Sequence, residues 1–269
     1  MNSRPCHEPF LMAAPPVVEG GVVPLVPEPF AGADWPEGAY REIVYRLAAA
    51  AEFRDDETGN HIARMASYAY LIGQELELEE DFLSTLLLAS PMHDVGKIGI
   101  PDAILLKPGR LTRAEFEVVK DHPLIGARIL QGSQSALLGM AETIARTHHE
   151  LYDGEGYPYG LRGEAIPLAG RIATVADVFD ALTTRRPYKT AYAVATAAGI
   201  ISRGSGSRFD PEVVRAFRRA FGGILEVKGE FDDQGPAQGR GSSASVGGGV
   251  VEKLAATEEW FLRQRSRRL

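Results

Sequence analysis

The chain has 269 residues, 45% hydrophobic and 24% charged, enough for one large packed domain or two small ones. Its formal net charge of −7 argues against a DNA or RNA binder, which carries a basic face, but not against a small anion held by local cations. The single cysteine, Cys6, excludes an intrachain disulfide and a thiolate zinc site, so any metal must rest on imidazole and carboxylate groups, and a reducing cytoplasm is the expected location.

Residues 1–36 hold eight of the seventeen prolines and are expected to be extended or disordered. The start, Met1-Asn2-Ser3-Arg4-Pro5, does not read as a secretory signal. Residues 37–228 carry mainly helical periodicity and form the expected folded domain. Helices are predicted over 42–53 and 61–76. A third, over 81–92, is apolar on most sides and is therefore expected to be central. Thr112-Arg113-Ala114-Glu115 is a capping box that opens a helix ending near Asp121. Pro123 suits the first turn of a helix over 124–130, and longer helices follow over 136–149 and 168–184. Asp210 and Pro211 cap and open another.

Strand alternation is nearly absent, so the fold class is all-α. No run of about 18 apolar residues exists, so no membrane span is expected. Residues 229–249 carry seven glycines and read as a Gly/Ser-rich linker. Residues 250–269 are expected to form a C-terminal helix. Its basic end reads first as charge complementing a helix terminus and second as a docking segment.

Five of the six histidines fall between His61 and His149. Glu57 and His61 are four apart, which puts both on one face of a helix. His93-Asp94 and His148-His149 are adjacent pairs. Neighbours on a regular helix point about 100° apart, so each pair must serve two neighbouring ions or sit where a helix ends. Gly96 is a candidate helix terminator after the first pair. Asp177 lies in an apolar stretch, where a carboxylate needs a metal or a hydrogen-bonding partner. Taken singly, His122 reads as a cap or surface residue, His93-Asp94 as a surface pair, and Asp177 as a satisfied core acid. Taken together, they read as a metal site.

These residues sit inside longer words. Asp55-Asp56-Glu57-Thr58-Gly59-Asn60-His61, His93-Asp94-Val95-Gly96-Lys97, His148-His149-Glu150, Gly156-Tyr157-Pro158, Ala176-Asp177-Val178-Phe179-Asp180-Ala181-Leu182 and Arg186-Pro187-Tyr188 strongly resemble the HD-GYP family, over residues 45–220. The resemblance implies a helical HD-superfamily domain with a site for two or three divalent ions, commonly iron or manganese. It implies hydrolysis of cyclic di-GMP to linear pGpG and, in some members, to GMP.

By motif match the ligands would be Glu57, His61, His93, Asp94, His122, His148, His149 and Asp177, with Asp94 bridging two metals. Glu57 marks the trinuclear type, so three metals are favoured. Two close divalent ions would turn a bridging water into hydroxide and neutralise the charge that develops on the phosphate.

Lys97 would contact the scissile phosphate or protonate the leaving oxygen; otherwise it is a solvated lysine at a helix end. Arg186 and Lys189 would bind phosphate. Arg185 has no motif support and reads as surface. Asp180, three residues after Asp177, is a candidate for orienting a ligand imidazole. Gly154 and Gly156 permit positive φ in a tight loop, and Tyr157 would stack on a base or a partner, or the loop is purely a turn.

The family also implies contacts between this loop and diguanylate cyclase (GGDEF) domains, and leaves a homodimer open. Pro91, two residues before His93, departs from the usual family run and is expected to kink the helix and shift His93. The rival functional reading is a module that binds cyclic di-GMP or a cyclase without turnover. Within enzymes, cyclic GMP-AMP is the rival substrate.

Overall fold

The computed structural model describes residues 37–52, 54, 60–185 and 190–231. Glu57, Arg186, Lys189, the expected tail 1–36, residues 232–249 and the expected helix 250–269 lie outside the described residues. Among the described residues eleven α-helices follow in order: α1 (Glu37–Glu52), α2 (Asn60–Glu75), α3 (Glu80–Ala89), α4 (Asp102–Leu105), α5 (Arg113–Val119), α6 (His122–Leu130), α7 (Ala136–Thr147), α8 (Leu168–Thr183), α9 (Val194–Arg203), α10 (Pro211–Arg219) and α11 (Phe221–Glu230). Among the described residues there is no strand, only an isolated bridge between Ser205 and Phe209. The all-α expectation holds.

The centre is α2, not the segment over 81–92. Every α2 residue from Asn60 to Gly73 is buried, and α3, α8, α10 and α11 pack around it. By contrast α3 buries only Leu83, Leu86, Leu87 and Ala89. Small residues explain why the sequence understates α2. Ala63, Ala66, Ala69 and Gly73 add little hydrophobic signal but let neighbouring helices come close. A Cβ on Gly73 would run into the Leu83 side chain.

On the far side of α2, Tyr68 meets Phe179 edge-on at 5.6 Å, and Phe179 meets Phe217 at 5.1 Å. Such pairs contribute about 0.5–1.5 kcal/mol beyond their buried area. The core thus clamps α2 and α8, which carry His61 and Asp177.

The capping box forms as expected. The Glu115 amide donates to Thr112 Oγ1 at 3.3 Å, and the Thr112 amide donates to Glu115 Oε2 at 2.7 Å. Asp210 caps α10 by accepting from the Glu212 amide. Three helices escaped the sequence reading: α4, α9 and α11. In α11, Gly222 and Gly223 disfavour helix, but burial of Ile224 and Val227 overrides them. This helix also runs through Gly229 and Glu230, past the expected linker boundary.

Pro91 does change the helix. α3 stops at Ala89, and Ser90–Met92 continues as a 3-10 turn with Pro91 in its first positions. The Ser90 hydroxyl donates to the Leu86 carbonyl at 2.6 Å. Asp94 leaves helical geometry (φ −102, ψ 10), and a second 3-10 turn covers Val95–Gly99. His93 and Asp94 therefore lie between two short turns, where adjacent side chains can face one region. Gly96 does not terminate a helix. It is needed because a Cβ there would overlap the backbone of His122 and Gly126 on α6.

Candidate metal centre

Four imidazoles are fixed in the same sense. His93 Nδ1 lies 3.1 Å from the Ser90 carbonyl, His122 Nδ1 lies 2.7 Å from the Val119 carbonyl, and His148 Nδ1 lies 3.1 Å from the carbonyls of Ile144 and Ala145. A carbonyl only accepts, so each Nδ1 carries the proton and each Nε2 presents a lone pair. His61 Nδ1 lies 2.8 Å from Asp180 Oδ2, which sets the same tautomer.

Two groups result. Ligand atoms of Asp94, His122, His148 and His149 lie within 4.8 Å of one another, as do those of His61, His93 and Asp177. Asp94 stands between them. Its Oδ1 lies 3.1 Å from His122 Nε2 and 3.6 Å from His148 Nε2, while its Oδ2 lies 3.2 Å from His93 Nε2. His61 Nε2 lies 3.7 Å from Asp177 Oδ1. Seven of the eight ligand candidates are thus brought together; the eighth, Glu57, lies outside the described residues. Pro91 does not remove His93 from the cluster: its ring centroid is 5.5 Å from that of His61 and 5.2 Å from that of His148.

The arrangement fits a cation. His122 Nε2 and His148 Nε2 are 3.4 Å apart, and both face Asp94 Oδ1. Three acceptors converge with no proton between them. Asp94 Oδ1 and His93 Nε2 are buried and make no well-formed hydrogen bond. Buried acceptors left this way cost about 1–3 kcal/mol each, and a divalent ion bound by nitrogen and oxygen relieves them.

Charge in the site follows burial and contact. Burial alone would raise the Asp94 pKa. The Lys97 ammonium first, and then the His93 ring, outweigh it and hold the carboxyl well below its usual range. Burial pushes His148 down, and pushes His149 far down together with the neighbouring rings of His148 and His122, so both favour the neutral, ligating form. Burial acts downward on His93 as well, but the charge of Asp94, whose Oδ2 lies 3.2 Å away, and then that of Asp177 bring it above its ordinary value.

Lys97 is not a solvated lysine: its ammonium lies 2.8 Å from Asp94 Oδ2. Tyr157 turns inward and stacks on His149 at 4.7 Å with 28° between the rings. Burial, with the charges of Asp94 and Asp177, raises its phenol pKa. Gly154 has φ +85 as expected, but Gly156 does not adopt positive φ. Its hydrogen is needed instead because a Cβ would strike the backbone of His149, Glu150 and Leu151. Asp180 is fully buried beside His61, and burial, which opposes ionisation, is outweighed by hydrogen bonds from His61 and Arg64 that lower its pKa. Arg185 is exposed, as expected.

Three residues at the site were missed in the sequence. Arg64 is buried against Asp180. Glu150 is buried and accepts from the amides of Tyr159 (2.8 Å) and Leu161 (2.9 Å), which ties down the loop carrying Tyr157. Thr174 on α8 donates to the His148 carbonyl at 2.8 Å. An arginine three residues after His61 in an otherwise apolar run was a readable signal for the first; nothing local marked the other two.

Among the described residues no helix is long and apolar enough to cross a membrane. Residues 46–213 match the family model described as HD domain. The chain is 47% identical over 191 residues to the cyclic di-GMP phosphodiesterase response regulator RpfG of Xanthomonas campestris pv. campestris, covering 71% of this chain and 50% of that protein. It is 39% identical over 193 residues to 3'3'-cGAMP-specific phosphodiesterase 2 of Vibrio cholerae, covering 72% of this chain and 37% of that protein. The chain therefore spans half or less of the length of these two relatives. A solved structure of a cyclic GMP-AMP-specific phosphodiesterase of Vibrio cholerae shares the fold, with TM-score 0.50 and 20% identity, over 81% of this chain and 58% of that one. The chain belongs to the HD-domain family, in its HD-GYP branch.

Proposed function

We propose that the chain is a metal-dependent phosphodiesterase that hydrolyses cyclic di-GMP to linear pGpG, with GMP as a further product. The observation that carries this reading is the convergence of His122 Nε2, His148 Nε2 and Asp94 Oδ1 on one point, in a chain 47% identical to a cyclic di-GMP phosphodiesterase. The similarity to a cGAMP-specific relative at 39% identity makes cyclic GMP-AMP the second substrate to test.

Within this reading His61, His93 and Asp177 would hold one ion and His122, His148 and His149 another, with one Asp94 oxygen offered to each group. Glu57 would add a third. Iron or manganese suits these donors. When bound, the ions would supply Lewis acidity and a water acidic enough to attack at neutral pH. Lys97, beside Asp94 Oδ2, would neutralise a phosphate oxygen or give a proton to the leaving oxygen. Tyr157 shields one face of His149 and excludes water from it. Arg186 and Lys189 would take the second phosphate.

Tyr159, exposed next to Pro158, supports the proposal that a diguanylate cyclase domain docks at this loop. We also propose a cytoplasmic location, in keeping with one cysteine and no disulfide. Homodimerisation remains a separate proposal.

The test is turnover. Metal-loaded chain is incubated with cyclic di-GMP and, separately, with 3'3'-cGAMP, and the products are resolved. Linear dinucleotide from cyclic di-GMP supports the assignment. Turnover of cGAMP alone reassigns the substrate. Tight binding without turnover at full metal occupancy replaces the enzyme reading with the binding module.

A further inference from the structure

His61 differs from the other three fixed imidazoles in what holds it. His93, His122 and His148 each donate Nδ1–H to a backbone carbonyl three or four residues back in the chain. His61, the second residue of α2, is held differently. Its Nδ1 relies instead on a side chain from another helix, Asp180 on α8. A carboxylate on a rotatable stem is a poorer fixture than a helical carbonyl unless something fixes it in turn.

Arg64 does so. It follows His61 by three residues and therefore shares its face of α2. Its Nε donates to Asp180 Oδ1 at 2.6 Å and its Nη2 donates to Asp180 Oδ2 at 2.9 Å. Nη2 also reaches Thr184 Oγ1 at 2.9 Å, Thr184 donates to Asp180 Oδ2 at 3.2 Å, and Arg64 Nη1 donates to the Phe231 carbonyl at 2.9 Å. Arg64 is 1% exposed and Asp180 0%. A planar guanidinium bound through two nitrogens fixes the plane of the carboxylate, which an ammonium cannot do.

We infer that Arg64 is a positioning residue for the metal centre: through Asp180 it sets the ring plane of His61 and so aims Nε2 at the group formed with His93 and Asp177. This rests on the metal-site reading above. The consequence is selective: Arg64 acts through Asp180 on His61, a member of the group with His93 and Asp177.

The experiment compares the full chain with Arg64→Lys and Arg64→Met, each reconstituted anoxically with Mn. Metal per chain and stepwise affinity are read by titration, and folding by circular dichroism and the thermal midpoint of the metal-free form. Wild type should take up at least two ions. Each variant should bind one ion as wild type does and another about 10–100-fold more weakly, the usual effect of disturbing a partner behind a ligand. Arg64→Lys, which keeps the charge but not the fork, should still show the weakened step. If Arg64→Met does not fold, Arg64→Lys decides alone.

Equal weakening of both steps, in parallel with lost stability, would reduce Arg64 to a structural residue and overturn the inference. So would unchanged affinities in both variants. Failure of wild type to bind two ions would instead overturn the metal-site reading, and this inference with it.

Discussion

His122 Nε2 and His148 Nε2 face each other at 3.4 Å, each with its Nδ1 proton already committed to a backbone carbonyl. Two lone pairs at that distance repel, and the Asp94 oxygen beside them is a third acceptor. Stability of the metal-free fold therefore carries an electrostatic penalty that a cation removes. Ligand linkage gives a gain of about 4 kcal/mol at a free metal concentration a thousand times Kd. Thermal unfolding with and without a chelator should show a clear drop in midpoint on metal removal. An unchanged midpoint would mean that the cluster does not hold an ion.

Asp94 is shared between the two groups, one oxygen to each. Asp94→Ala should cost both ions at once and reduce phosphodiester hydrolysis to background, whereas His149→Ala should weaken only the group on α6 and α7. Metal analysis of the two variants checks this. Retention of a full metal complement by Asp94→Ala would show that the centre is built differently.

Gly156→Ala places a methyl group against the backbone of His149, Glu150 and Leu151. Backbone cannot yield as a side-chain tip can, so the loop must move and lift Tyr157 from His149. Overpacking of this kind costs about 1–3 kcal/mol. A lowered thermal midpoint with reduced turnover is expected. Gly163→Ala, at φ +60 with open space around it, should lower stability by backbone strain alone and leave turnover intact.

The pH dependence follows from two opposite shifts. Asp180 and Asp94 have pKa values lowered in the fold. Their contribution to the stability of the metal-free protein is therefore present above 3.8, the ordinary aspartate value, and is lost as the pH falls below it. His93 is raised above 6.5, so a proton competes with metal there. Metal affinity should rise with pH above 6.5 and level off once His93 is deprotonated. Urea midpoints of metal-free protein between pH 3 and 6, and Mn titrations between pH 6 and 8, measure the two effects. Metal affinity that is flat across neutrality would contradict the His93 assignment.

Much of the site was legible because its chemistry is concentrated in rare residues. Adjacent pairs such as His93-Asp94 and His148-His149 call for two neighbouring ions or for a helix end, and the structure ends a helical turn at each. The all-α architecture was legible from periodicity, and the Thr112–Glu115 capping box from four residues. What the sequence hid depends on tertiary contact. α2 owes its central position to small residues that carry little hydropathy. Gly156 owes its place to a close approach of backbone that no φ preference reports. Arg64 is one cation among many, and only the fold brings Asp180 to it across 116 residues. Pro91 raised an expectation of displacement that a 3-10 turn absorbs.

The central claim is that these residues hold metal and use it on a phosphodiester. The most direct test is the metal content of anoxically purified full chain, followed by cyclic di-GMP turnover after chelation and after re-addition of iron or manganese. At least two ions per chain are predicted, with turnover lost on chelation and restored on re-addition. Turnover that survives complete metal removal, or none at full metal occupancy, would contradict it.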